Sequence, residues 1–208
     1  MVPLGVGKIL SAVGVNNVVE LDWWDSYHHL TPSGTSIEVM FTPAKHWTSR
    51  SLWDRNTCLW GSFAILGREA KYFFGGDTAY CNVFKLIGEN LGPFDMAAIP
   101  IGAYSPRWFM KDVHCNPEES VRIHQDLRAK QSFGIHWGTF PLTEEDPIEP
   151  ALELARVRDL RNIPAKFFFT MAQGETAYLD HQPVHDVASM YDENYGHYLQ
   201  ILRAAATA

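Results

Sequence analysis

The chain has 208 residues, 46% of them hydrophobic and 20% charged, which is the composition of one soluble globular domain and excludes a disordered or fibrous protein. Its net charge of −7 is spread along the sequence without a Lys/Arg block, so nucleic acid is not an expected partner. Cys58, Cys81 and Cys115 are odd in number and lack a C-x-x-C spacing, which argues against a disulfide framework or a thiolate zinc finger and fits a reducing compartment.

In chain order, Ile9 to Val13 reads as a short helix ended by Gly14, and Asn17 to Leu21 as a strand. The start carries neither a signal peptide nor a run of apolar residues long enough to cross a bilayer, so any membrane contact is expected to be peripheral. Strands are expected at Ile37 to Thr42, Leu59 to Leu66 and Lys71 to Phe74, the last two joined as a hairpin through Gly67-Arg68-Glu69-Ala70. A helix from Asn82 to Glu89 precedes an apolar strand at Met96 to Ile101. Asn116-Pro117-Glu118-Glu119 has the signature of a helix start, with an N-cap Asn, Pro at the first helical position and acids in the first turn; that helix should reach about Ala129.

A strand at Ser132 to Ile135, a helix from Glu149 to Leu160 and strands at Lys166 to Thr170 and Glu175 to Leu179 follow. Residues 1–180 thus read as one α/β domain with helices covering sheets, and 181–208 as an irregular tail. The strand–helix pattern begins without the partner sheet that such a layered fold requires.

Three metal-type side chains fall at strand ends. Asp77 follows the aromatic run Tyr72 to Phe74 and Gly75-Gly76, where the glycines let the backbone turn and approach another group closely. His46 follows the strand at 37–42, and His136 follows Phe133-Gly134-Ile135. Taken singly, a strand-end histidine is more often a hydrogen-bonded structural residue and an Asp after two glycines a turn former. Together they outline a metal site assembled from dispersed loops, with Trp47 and Trp137 next in sequence to orient the imidazoles.

His114, just ahead of the helix at Asn116, reads equally as a phosphate or acid/base group or as an ordinary loop histidine. His124 shares a helical face with Val121 and Leu127 and is expected in the core. His28, His29, His181 and His185 receive no function. The sequence has no H-E-x-x-H, G-x-S-x-G or Walker loop, which disfavours a serine hydrolase or P-loop NTPase.

Several stretches carry a family likeness: Phe41-Thr42-Pro43-Ala44-Lys45-His46-Trp47, Leu59-Trp60-Gly61-Ser62, Phe73 to Cys81, Gly92 to Lys111 with Pro106-Arg107-Trp108-Phe109-Met110, and Ile135-His136-Trp137-Gly138-Thr139-Phe140. Over about Val2 to Leu179 the chain resembles the N-acylphosphatidylethanolamine-hydrolysing phospholipase D family of the metallo-β-lactamase superfamily. The resemblance implies an αββα sandwich with two zinc ions that hydrolyses N-acylphosphatidylethanolamine to an N-acylethanolamine and phosphatidic acid.

By position it makes His46 a ligand of one zinc, Asp77 the catalytic carboxylate bridging both and His136 a ligand of the other, with His114 near the substrate phosphate. It also implies a homodimer, a hydrophobic lipid groove and peripheral attachment to internal membranes of Golgi or endosomal type. The family's His-x-His-x-Asp-His motif has no counterpart here, so the chain is expected to hold the C-terminal part of the fold and to be impaired in turnover. A non-catalytic lipid-binding or dimerising module, or a related hydrolase acting on another phosphodiester or a lactone, are the alternatives.

Overall fold

The computed structural model describes residues 1–172, 174–176 and 186–190. The chain opens with a two-stranded parallel ribbon, β1 (Val2–Pro3) against β2 (Glu20–Leu21), connected through helix α1 (Gly7–Ala12). Seven further strands form one sheet in sequential order: β3 (Ser26–Leu30), β4 (Ser36–Thr42), β5 (Ser62–Leu66), β6 (Lys71–Phe74), β7 (Met96–Pro100), β8 (Gln131–Ile135) and β9 (Phe168–Phe169).

Strands β3 to β6 pair antiparallel and β6 to β9 pair parallel. The change follows from the connections, because a parallel neighbour needs a long crossover and antiparallel ones do not. The crossovers carry α2 (Val83–Asn90), then α3 (Arg107–Met110) with α4 (Pro117–Asp126), then α5 (Glu149–Leu160).

One face of the sheet is packed by these helices. Ala64, Phe73, Ala97, Ile99 and Phe168 join Phe84 and Ile87 of α2, Val121 and Ile123 of α4 and Leu154 and Val157 of α5 in a single buried cluster. Each buried Phe, Ile, Leu or Val among them contributes about 1.5–3 kcal/mol, which is why the amphipathic crossovers lie on this face. The opposite face carries a row in register across six strands, phenylalanine at every position but Ala98: Phe41, Phe63, Phe74, Ala98, Phe133 and Phe169. Phe41 and Phe169 in that row are buried, while Phe74 stays 42% exposed.

The α/β class expected from the alternation holds, with most interior elements in place. The hairpin between β5 and β6 closes through the Gly67 N–H donating to the Ala70 carbonyl. The strand expected from Leu59 starts only at Ser62, because the Trp60 indole turns away to donate to the Ala44 carbonyl. That expected from Lys166 to Thr170 shortens to β9 behind a 3-10 turn, Ala165–Phe167, which follows Pro164. Strand β3 and helix α3 were not expected, and the strand expected at Asn17 to Leu21 is confined to Glu20–Leu21. Of the strand expected at Glu175 to Leu179, Glu175 and Thr176 are not in a strand, and residues 177–179 lie outside the described residues. Within the expected tail, Val187–Met190 form a helical turn, α6, and the remainder lies outside the described residues.

Candidate active site

The four chemical side chains singled out in the sequence meet at one end of the sheet, and backbone hydrogen bonds explain how. Beyond β4, Lys45 bridges Ala79 beyond β6: the Ala79 N–H donates to the Lys45 carbonyl at 2.8 Å, and the Lys45 N–H donates to Thr78 Oγ1 at 3.0 Å. The Cys115 N–H donates to the Thr78 carbonyl at 2.8 Å, which draws in the segment before α4. The Ile101 N–H reaches the Ile135 carbonyl at 3.0 Å and extends the β7–β8 ladder to the end that holds His136. His46, Asp77, His114 and His136 therefore converge although they are distant in sequence.

At Asp77 the two glycines play the role that their position predicts. The Gly75 N–H donates to the Ala98 carbonyl at 2.8 Å, and a Cβ on Gly75 would lie 3.0 Å from both that oxygen and Pro100. Gly76 has φ +61°, the left-handed region in which glycine costs least, and this turn brings Asp77 to the rim. His136 adopts φ +60° without that freedom, a strained conformation of the kind that clusters at functional sites.

The imidazoles of His46 and His114 meet edge to face at 5.2 Å between centroids, and His114 lies 5.0 Å from His136. His136 Nε2 is 3.3 Å from Asp77 Oδ1. Trp47 stacks parallel to His46 at 6.1 Å, as its sequence position suggested. The ring beside His136 is His114, whereas the Trp137 indole donates to the Gly134 carbonyl. His124 lies in the core as expected, bonded through Nδ1 to Ser132 Oγ.

The electrostatics follow from this packing. The hydrogen bond from His136, opposed by partial burial, holds the Asp77 carboxyl below the ordinary carboxylate range. The same bond raises the His136 imidazolium above its usual value. Burial, aided by the neighbouring His136 and His46 rings, pushes His114 down to about 4 and keeps it neutral at pH 7.

His46 Nδ1 lies 2.7 Å from the Trp47 carbonyl, which can only accept, so Nδ1 carries the proton and Nε2 is left with its lone pair. That Nε2, and Nδ1 of His114, are buried without a hydrogen-bond partner. Bare imidazole nitrogens beside a carboxylate are a metal-type donor set, with the Trp47 carbonyl fixing the His46 tautomer. Among the described residues, however, no three His, Cys, Asp or Glu side chains are already disposed around one point to hold an ion. The donors fit a metal in kind and in their unused nitrogens, and do not form a closed cage as they stand.

Two features were not legible in the sequence. A cleft of about 260 Å³ borders His136, walled by Trp137, Phe140, Leu142 and Pro147. Glu145 in this wall accepts the N–H groups of Tyr104 and Ser105 at 3.1 and 3.0 Å, tying the loop after β8 to the segment before α3. Three consecutive acids, Glu144 to Asp146, after an aromatic loop were the available signal, but they do not reveal which distant backbone they bind.

Comparison with known proteins adds to this geometry. The family described as "Beta-lactamase superfamily domain" matches residues 1–137, which contain all four side chains. The chain is 45% identical over 182 residues to N-acyl-phosphatidylethanolamine-hydrolyzing phospholipase D 1 of Caenorhabditis elegans, covering 84% of this chain and 51% of that protein. It is 38% identical over 157 residues to N-acyl-phosphatidylethanolamine-hydrolyzing phospholipase D, mitochondrial, of Saccharomyces cerevisiae, covering 74% and 33%. The chain thus spans about half of the first relative and a third of the second. Among solved structures, Igni18, a metallo hydrolase from the archaeon Ignicoccus hospitalis, shares the fold with a TM-score of 0.60 at 19% identity, over 85% of this chain and 66% of that one.

Proposed function

The chain belongs to the β-lactamase superfamily, and from that premise we propose that it serves zinc-dependent hydrolysis of N-acylphosphatidylethanolamine to an N-acylethanolamine and phosphatidic acid. The observation that carries this reading is the pair of buried, unpartnered imidazole nitrogens on His46 and His114 beside the Asp77–His136 pair. His46 through Nε2, and His136, would each hold one of two zinc ions, and Asp77 would be shared between them. Zinc bound there supplies a Lewis acid for the phosphoryl oxygens and a nucleophile at neutral pH.

The remaining roles belong to the chain. His114, neutral at pH 7, offers an N–H to a phosphate oxygen. The Trp47 carbonyl keeps His46 in the tautomer that leaves Nε2 bare. Trp137, Phe140 and Leu142 give an acyl chain an apolar wall next to the reacting centre. Zinc takes about four ligands per ion, more than these side chains supply, so slow turnover is expected of this chain by itself. The same reading implies attachment to an internal membrane as a homodimer.

Zinc content and N-acylethanolamine release from lipid vesicles test the reading together. We expect bound zinc, zinc-dependent release, and an Asp77→Asn change that lowers zinc content and reduces release at least about a hundredfold. Release that persists without zinc, or is unaffected by Asp77→Asn, would overturn it. A second reading, a non-catalytic lipid-binding module, draws support from the lack of a preformed ion cage among the described residues; vesicle binding without zinc or turnover is its signature.

A further inference from the structure

The most exposed large apolar side chains of the described structure, Leu52 at 92% and Trp53 at 91%, are neighbours at the tip of the loop between β4 and β5. The loop is built to keep them there. Asp54 Oδ1 accepts the N–H groups of Ser51 at 2.7 Å and Arg50 at 2.9 Å. The neck is closed by the Asn56 N–H on the Thr48 carbonyl at 2.7 Å and by Thr48 Oγ1 on the Cys58 carbonyl at 2.7 Å. A tip fixed in this way presents its side chains at little entropic cost.

The tip also has a direction and a chemical setting. Its loop leaves β4 through His46, so it stands beside the candidate active site. Arg50 and Arg55 are exposed on either side of it, with Arg55 lying over the Trp47 ring at 5.1 Å. A second exposed pair, Trp108 and Phe109 on α3, is linked to the root of the same loop by the Lys45–Asp112 ion pair. Adjacent Leu and Trp flanked by arginines suit a bilayer interface, where rings and alkyl groups enter the acyl boundary and guanidinium groups meet phosphates. Two side chains on a narrow tip cannot supply the roughly 800 Å² per partner of a standard protein interface.

We infer that residues 47–57 form an interfacial anchor that inserts Leu52 and Trp53 into a phospholipid bilayer, with Arg50 and Arg55 at the headgroups, and so holds the site over its substrate. The inference rests on the reading that the substrate is a membrane lipid.

The test is partitioning of the chain and of its Leu52→Ser/Trp53→Ser variant onto vesicles of phosphatidylcholine with phosphatidylglycerol, alongside hydrolysis of N-acylphosphatidylethanolamine dispersed in detergent. Both side chains are over nine-tenths exposed, so the variant should melt within about 2 °C of the parent. We expect brominated lipids to quench Trp53 of the parent, and the variant's vesicle partitioning to fall more than about tenfold with detergent-dispersed turnover retained. Equal partitioning of variant and parent, or no partitioning of the parent, would overturn the anchor. Loss of partitioning in the variant when neither protein hydrolyses lipid supports the anchor and counts against the hydrolase reading alone. A variant that changes oligomeric mass but not partitioning assigns the tip to another polypeptide and overturns the proposal.

Discussion

His124 is 7% exposed, with Nδ1 on Ser132 Oγ and its ring stacked on Phe168, and burial pushes its pKa down to about 4. A histidine whose folded pKa is depressed has a definite sign: above the ordinary histidine value neither state is protonated and nothing is lost. As pH falls from about 6.5 to about 4 the unfolded chain takes up the proton first, so stability drops, by about 3 kcal/mol for this residue. Replacing it by Gln should flatten that part of the pH profile, measured as the difference in urea midpoints between pH 7 and pH 4.5 for the two proteins. The sequence foretold the burial of His124 because its helical spacing from Val121 and Leu127 is local. It could not foretell the unpartnered nitrogens of His46 and His114, which exist only because three separate segments close around them.

At the scale of elements, helix α4 shows what a local signal can specify. The Asn116 side chain accepts the Glu119 N–H while the Glu119 carboxylate accepts the Asn116 N–H, a reciprocal cap written in four consecutive residues. This cap fixes where the helix begins and hence where His114 lies. The packing of α2 on α4 was not written so plainly. Gly88 of α2 lies so close to α4 that an added Cβ would come within 1.9 Å of the Asp126 carbonyl oxygen. Gly88→Ala raises helix propensity yet should destabilise the protein by more than about 2 kcal/mol, since rigid backbone blocks the methyl group. The check is a lower urea midpoint at unchanged m-value. Helix α3 escaped the sequence reading for a related reason: Arg107–Met110 is a single turn with an exposed Trp108 and Phe109, too short to show a period.

Over the whole molecule, an ion pair ties the segment at 186–190 to the end of the sheet. Arg158 of α5 meets Asp186 at 2.6 Å, both side chains nearly buried, and donates to the Phe168 carbonyl of β9; Asp186 also accepts from the Thr170 N–H and hydroxyl. Removing one partner of such a pair leaves a buried charge uncompensated, so Asp186→Ala should cost about 3 kcal/mol and release the segment. Limited proteolysis checks this: early cleavage after β9 in the variant is expected, and the parent's cleavage pattern would argue against the tie.

By itself the sequence determined the α/β class, the interior strands and amphipathic helices and the cap of α4, and it singled out four candidate side chains, because periodicity, caps and turn glycines act over a few residues. Tertiary structure alone decided that those four side chains share one end of the sheet, which imidazole nitrogens stay bare, that Glu145 clamps the loop before α3, and that Leu52 and Trp53 stand in solvent. Each of these depends on hydrogen bonds and packing between segments far apart in the chain, and no local pattern encodes such a closure.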